Sequence, residues 1–271
     1  MRTADDLSQE GGHIAVLPGD PAATRWLREV LGTPAPVPTE DALAVVALAP
    51  GADVDRAGEA LAHRRRSGGG ALAVLVGDRR ERDELETRLL VRHRLEPSNI
   101  AHIAALDEAG AEGVIEAVLR GLGDEMVAAG RRNPGLRHAI GRRLIATASK
   151  RSAAIGVLPL PGVDMPVLVL IQVRLVADLS ALHDKPFGAE RALEALAIVG
   201  AGFGWRAVGR SAAGAIPVAG WAVRGTVAYG ATRAIGEAAL ARLSAGHDLI
   251  EGAPVDKARP LIDRVTARLR R

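Results

Sequence analysis

The feature that most constrains the fold of this chain is a series of short apolar runs in its first half, each followed by a helical pattern. Residues 42–48 and 71–76 contain only alanine, valine and leucine, and residues 13–17 and 100–105 are more polar runs of the same kind. A strand that is apolar at every position is buried on both faces, which is typical of a parallel sheet covered by helices. We therefore predict an α/β domain with a short parallel sheet in this half. The intervening helices are predicted over residues 23–31, 54–66, 79–93 and 111–122.

The second half of the chain has a different pattern, in which strand signals give way to long helical stretches. Residues 131–151 contain seven basic residues and no acidic one. They precede two apolar stretches, at 153–182 and 212–243, which are interrupted by prolines. This pattern predicts an all-α helical domain.

The boundary between the two domains is predicted from a break in the helical pattern. Gly130 and Asn133-Pro134 interrupt it, because glycine, asparagine and proline favour turns over helix interiors. We place the boundary just before this break. The predicted domains are an α/β domain over 1–127 and a helical domain over 128–271.

The composition argues against several kinds of function. The chain has no cysteine, so disulfides and cysteine-ligated metals are excluded, and a reducing cytoplasm is the expected compartment. Its seven histidines lack the spacing of metal ligands, so we expect no metal and no cofactor. Aromatic residues make up 2% of the chain, too few for the stacking platforms that bind single-stranded nucleic acid. We therefore expect no nucleic-acid partner.

The loop after the first apolar run lacks the residues that bind phosphate in a P-loop. That loop needs Gly-x-x-x-x-Gly-Lys-Ser/Thr, whose amides hold the phosphates and whose hydroxyl holds magnesium. Residues 17–25 contain no Gly-Lys-Ser/Thr, Pro18 and Pro21 remove amide donors, and Asp20 would repel phosphate. Asp78, at the end of the third run, stands where GTPases place a guanine-reading aspartate, without its asparagine and lysine. The layout resembles a GTPase domain that has lost its P-loop, and we expect no catalysis.

Three stretches of the second half carry a more specific pattern. They are residues 142–148, residues 159–172 with Pro-Leu-Pro-Gly-Val-Asp-Met-Pro at their start, and residues 216–239 with Ile-Pro-Val-Ala-Gly and then Ala-Thr-Arg-Ala-Ile-Gly-Glu. In order and spacing they resemble the GTPase-associated family called domain of unknown function 697. The resemblance covers about residues 142–243. The candidate motif residues are Arg143, Pro161, Asp164, Gln172, Pro217, Gly220, Thr232 and Gly236.

The resemblance implies a non-catalytic, membrane-associated accessory or scaffold protein with a pseudo-GTPase domain. Its expected partner is an anionic membrane surface or a membrane helix, at the cytoplasmic face of the membrane, bound peripherally or as an inserted hairpin. The net charge of +3 and the basic run fit attraction to anionic lipid. Two alternatives remain. One is a soluble cytoplasmic interaction protein whose apolar helices form a core or a homo-oligomer interface, and the other is an unconventional nucleotide-binding protein.

Several residues of the helical domain have both a structural and a functional interpretation. Asp164 is expected to cap the helix that follows it, or to line a polar site with Gln172. Arg174 and Asp178 are four residues apart, so they are expected to pair on one helix face or to contact a partner. The glycines of the stretch 220–236 allow close helix packing, either in a membrane or in a water-soluble domain.

Overall fold

Four parallel strands form one sheet in the computed structural model, which describes residues 12–33, 42–157, 164–185 and 220–249. The strands are β1 (Ile14–Val16), β2 (Leu43–Leu48), β3 (Ala71–Val76) and β4 (Ile100–Ile103). They lie in the order β1-β2-β3-β4, and each is parallel to its neighbours. Every residue of β2 and β3 is buried, which confirms the predicted short parallel sheet.

A helix follows each of these strands along the chain. The four helices are α1 (Pro21–Leu31), α2 (Val54–Arg66), α3 (Arg79–His93) and α4 (Glu108–Leu122). The bounds of α2 and α3 are those predicted. α1 and α4 begin earlier than predicted, because Asp20 and Asp107 cap a first turn that starts nearer the strand.

The sheet is covered by helices on both faces. α2 and α3 pack on one face, where Leu61, Leu85 and Leu89 join alternate residues of β2 and β3 in a buried cluster. α4 packs on the other face, where Gly121 lies against the Leu43 side chain, and α1 contacts α4. Burial on both faces explains why the strands are uninterrupted apolar runs instead of alternating apolar and polar residues.

The second half of the described chain is helical, as predicted. Its helices are α5 (Met126–Arg132), α6 (Arg137–Val157), α7 (Asp164–Leu182) and α8 (Gly220–Ser244). α5 ends at the predicted break, where Asn133 leaves the helical conformation and Pro134–Leu136 form a short 3-10 turn.

The chain forms two compact units, Met1–Ile140 and Gly141–Arg271, whereas the sequence places the boundary after residue 127. The first unit includes α5, and Gly12, just before β1, contacts this helix. The Gly12 amide donates to Glu125 Oε2 at 2.9 Å. A Cβ on Gly12 would overlap the Ala129 nitrogen, so the two backbones are in direct contact. Contacts of this range leave no local signal in the sequence.

Within the second unit, α8 packs against both α6 and α7. α8 has a buried stripe at helical spacing, formed by Ala228, Thr232, Ile235, Ala239 and Leu243. α7 contacts α8 through its second half, where the buried side chains are Leu175, Val176 and Leu179. The second unit therefore has an apolar core of its own.

Candidate functional site

The N-terminus of α1 follows β1 closely, where a P-loop protein would hold a phosphate. Asp20 is its N-cap, and the Asp20 carboxylate accepts a hydrogen bond from the Ala23 amide at 2.8 Å. The Gly19 amide donates to Thr24 Oγ1 at 3.2 Å, and the Asp20 amide donates to the Ala47 carbonyl at 3.3 Å. Three backbone donors of this turn are therefore already bonded within the chain.

The other three helices that follow strands begin in the same way. Their capping carboxylates accept backbone amides as follows: Asp53 from Arg56 at 3.1 Å, Asp78 from Glu81 at 2.9 Å and Asp107 from Gly110 at 2.8 Å. At α3 a capping box is complete, since Glu81 Oε2 accepts the Asp78 amide in return. The positive end of each helix dipole is thus matched by a carboxylate of the chain itself. These caps lie at the carboxyl ends of the strands, the edge at which α/β proteins bind ligands.

The order of the strands bears on the same edge of the sheet. In doubly wound folds a ligand binds in the crevice where the strand order reverses. The described sheet runs β1-β2-β3-β4 without a reversal, and β1 lies at its edge. Asp78 is the expected counterpart of a guanine-reading aspartate, and its carboxylate accepts a hydrogen bond from the Glu81 amide. Along the described part of this edge, the N-terminus of each helix is therefore capped by an aspartate carboxylate of the chain.

A chain of three polar side chains links the helices of the second unit. Gln172 Nε2 on α7 donates to Thr232 Oγ1 on α8 at 3.2 Å, and Thr232 Oγ1 donates to Ser152 Oγ on α6 at 2.9 Å. Thr232 and Ser152 are fully buried, whereas Gln172 is partly exposed. Because an unpaired polar group in such an interior is costly, these bonds favour one register of the three helices. Two of these three hydrogen-bonded side chains, Gln172 and Thr232, are candidate motif residues.

Gly236, a third motif residue, lies where α8 meets both neighbouring helices. A Cβ at this position would lie 2.7 Å from Ile145 Cγ1 on α6 and 3.1 Å from Leu175 Cδ2 on α7. A second close approach joins α6 and α8, where a Cβ on Gly156 would lie 3.1 Å from the Gly225 Cα. The absence of a side chain at these positions is what allows the helices to approach, so the structure assigns Gly236 a packing role.

The other five motif residues have separate positions. Arg143 lies on α6 with its side chain exposed. Asp164 and Gly220 are the first residues of α7 and α8, and the description of both is limited to the backbone. Pro161 and Pro217 lie outside the described residues. The capping role expected of Asp164 therefore stays a prediction.

Arg174 and Asp178 pair on α7, which confirms the pairing predicted from their spacing. Arg174 Nε lies 3.8 Å from Asp178 Oδ2. Burial raises the pKa of the Asp178 carboxyl, and the adjacent Arg174 charge lowers that pKa by a smaller amount. The surroundings of Asp178 therefore disfavour its charged form despite the neighbouring cation.

Sequence reasoning missed Ser152 and two of the capping aspartates, Asp53 and Asp107. Ser152 has no local signal, because a serine in a helix has the same pattern whether or not another helix supplies its partner. The caps do have a signal, since an aspartate directly before a helical pattern is a common helix start. Applying that rule at each strand end would have found them.

Across residues 12–33, 42–157, 164–185 and 220–249, no group of three histidine, aspartate or glutamate side chains is arranged to hold a metal ion. In the same ranges, no helix combines the length and hydropathy needed to cross a bilayer.

Comparisons of the chain with protein-family models, with curated proteins and with solved structures find no match. The functional conclusion therefore depends on the arrangement of this chain's own residues.

Proposed function

We propose that this protein is a non-catalytic accessory or scaffold protein, in which a pseudo-GTPase α/β unit is joined to a helical unit that associates with an anionic membrane surface. One observation carries the non-catalytic part. Each helix that follows a described strand has its N-terminus occupied by an aspartate of the chain, namely Asp20, Asp53, Asp78 or Asp107.

The capping aspartates oppose nucleotide binding for a physical reason. Nucleotide-binding folds hold phosphate with the free amides and the positive dipole of a helix N-terminus. At α1, a phosphate would have to displace the Asp20 carboxylate from the Ala23 amide and then lie beside that negative charge. Phosphoryl transfer depends on positioning and neutralising the phosphates, so this geometry supports a domain that does not hydrolyse GTP.

The membrane part of the proposal is supported by the charge of α6. Arg142, Arg143, Lys150 and Arg151 are exposed on this helix, which contains no acidic residue. Each basic residue close to an anionic bilayer contributes about 1 kcal/mol of attraction. Four such residues on one helix give about 4 kcal/mol of attraction, which supports weak, reversible surface binding.

The pseudo-GTPase part is tested by titrating the full chain with GTP and with ATP, each in the presence of magnesium. We expect no binding at micromolar protein concentration. Saturable binding of either nucleotide would overturn this part of the proposal.

The membrane part is tested by fractionating a detergent-free lysate. We expect the protein in the membrane fraction, and a wash with high salt followed by carbonate separates surface binding from hairpin insertion. A chain found wholly in the supernatant, with no affinity for liposomes, would overturn membrane association.

A second candidate function is a soluble interaction protein that uses its helical unit as a core or as an interface between copies. The observation that favours it is the burial of Leu175, Leu179 and Leu240 within the unit, as in an ordinary helical core. Light scattering of the detergent-free protein distinguishes the two candidates. A defined monomer or small oligomer without liposome affinity supports the second.

A further inference from the structure

The directions of α6, α7 and α8 decide which of their ends lie together. Ile145 of α6 packs on Gly236 of α8, and Gly156 of α6 packs on Gly225. Residue numbers therefore rise along α6 as they fall along α8, and the two helices are antiparallel. The last turn of α6 lies beside the first turns of α8.

α7 runs in the same direction as α8. Gln172 bonds to Thr232, and Leu175 packs on Gly236, so residue numbers rise together along the two helices. The first turns of α7 therefore lie at the same end as the last turn of α6. We call this end the tip, and it consists of residues 153–157, 167–171 and 224–227.

Among the described residues of the helical unit, the tip carries the exposed large hydrophobic side chains. Three large hydrophobic side chains are exposed among the described residues, and two of them, Val157 at 38% and Leu170 at 55%, belong to the tip. Residues 167–173 of α7 are apolar except for Gln172, and none of them is buried. Further along the same helix, Leu175, Val176 and Leu179 are buried. Within the described residues, one end of α7 therefore presents apolar surface that is not fully buried.

Positive charge surrounds the tip. Lys150 and Arg151 are exposed on α6, about 10 Å along the helix axis from Val157. Arg224 is exposed at the start of α8, and Arg174 is 79% exposed on α7. Arg174 pairs with Asp178, so Lys150, Arg151 and Arg224 are the other three exposed cations at this end, and Asp164 is the one acidic residue in the sequence of 150–157, 164–174 and 224–227.

We propose that the tip docks into the headgroup layer of an anionic lipid bilayer, with Val157 and Leu170 reaching the acyl boundary and Lys150, Arg151 and Arg224 contacting lipid phosphates. This inference rests on the proposed membrane association, and it adds the lipid class and the surface that binds. Apolar side chains surrounded by cations are the combination that binds interfaces, because acyl burial and phosphate attraction act together. The long basic side chains can extend towards the phosphates while the apolar residues insert.

The first test measures flotation of the purified full chain with vesicles. One set is phosphatidylcholine alone, and in the other about a third of the lipid is phosphatidylserine. We expect the wild type to float with the anionic set, and Leu170→Glu and the double variant Lys150→Glu/Arg151→Glu each to weaken binding about tenfold or more. Matched controls on α3 are Val91→Glu, which replaces the third exposed hydrophobic residue, and Arg79→Glu/Arg80→Glu.

A second test measures insertion directly. The chain has no cysteine, so Leu170→Cys and Val91→Cys each create a single site for a polarity-sensitive dye. We expect anionic vesicles to shift the emission of a dye at position 170 to the blue, and to leave a dye at position 91 unchanged. Thermal melts followed by circular dichroism check that all variants fold.

The outcomes separate this inference from the proposed function. Suppose that the wild type binds anionic vesicles and that the tip variants bind as tightly as the wild type or as the α3 controls. The tip is then not the docking surface, although membrane association stands. A third outcome is that only the charge reversal weakens binding and the dye at position 170 does not respond. Binding at this surface is then purely electrostatic, as it would be for a polyanion such as RNA, and the inference is wrong. If the wild type binds neither vesicle set, both the inference and the proposed membrane association fail.

Discussion

Thr232 Oγ1 on α8 lies 2.9 Å from Ser152 Oγ on α6, and both side chains are fully buried between the helices. Thr232 is also the acceptor for Gln172 on α7, so a single hydroxyl is bonded to both α6 and α7. A slip of any helix by one turn would break one of these bonds inside an apolar core. The polar chain therefore acts on the specificity of the packing as well as on its stability.

Replacing the shared hydroxyl tests this role. Thr232→Val keeps the shape of the side chain but leaves Ser152 without its buried donor and Gln172 without its acceptor. We expect the free energy of unfolding, measured by chemical denaturation, to fall by about 1–3 kcal/mol. Thr87→Val on α3 is the control, because the Thr87 hydroxyl is exposed and bonds only to the local Asp83 carbonyl. Equal effects of the two substitutions would show that the polar chain has no special role.

Two glycines of α8 are expected to respond to alanine with opposite signs. Gly236→Ala would place a Cβ 2.7 Å from Ile145 Cγ1, in a region where Ile145 and Leu175 are both buried and cannot easily move. Overpacking of this kind costs about 1–3 kcal/mol. Gly230 has nothing within 4 Å of the position of its Cβ, so Gly230→Ala is expected to stabilise the helix by about 0.5–1 kcal/mol. Thermal unfolding of both variants measures the contrast, and a stabilising Gly236→Ala would contradict the close packing.

Removing the capping aspartate of α3 is expected to lower the free energy of unfolding. Asp78→Ala removes the carboxylate that accepts the Glu81 amide, and we expect a loss of about 1 kcal/mol in unfolding free energy. Asp83→Ala removes an aspartate from the interior of the same helix, where its pair with Arg79 is long and exposed, and a change within about 0.5 kcal/mol is expected. Denaturant titration of the two variants compares them directly. A loss no larger for Asp78 than for Asp83 would argue against the cap.

The raised pKa of Asp178 leads us to expect that the free energy of unfolding depends on pH. Burial raises the pKa of its carboxyl in the folded state, against the lowering effect of Arg174. The folded state therefore holds this proton more tightly than the unfolded chain. The stabilising effect is complete below the ordinary aspartate pKa of about 4, and it is lost as the pH rises through the raised folded pKa.

Asp178→Asn removes this titration. We expect the unfolding free energy of the variant, relative to the wild type, to increase between about pH 4 and about pH 7. Asp83→Asn, at an exposed position on α3, controls for the change in total charge. A relative stability of Asp178→Asn that falls over this range would mean that attraction to Arg174 outweighs burial.

The helices and strands were predictable to a large extent because their signals are local. The bounds of α2, α3 and β3 follow directly from apolar runs and helical periodicity. The pairing of Arg174 with Asp178 follows from the spacing of a helical turn. Gln172, Thr232 and Gly236 were singled out from a sequence pattern, but their roles in one packed core were not evident from it.

The sequence by itself determined the kind of each described element, because periodicity and prolines act within a few residues. Only the tertiary structure decided which residues meet. It paired Thr232 with Ser152, 80 positions away, and Gly12 with Glu125, 113 positions away, and it placed the junction of the two units within α6. Such contacts depend on the shape and burial of surfaces contributed by distant segments, and no local pattern specifies them.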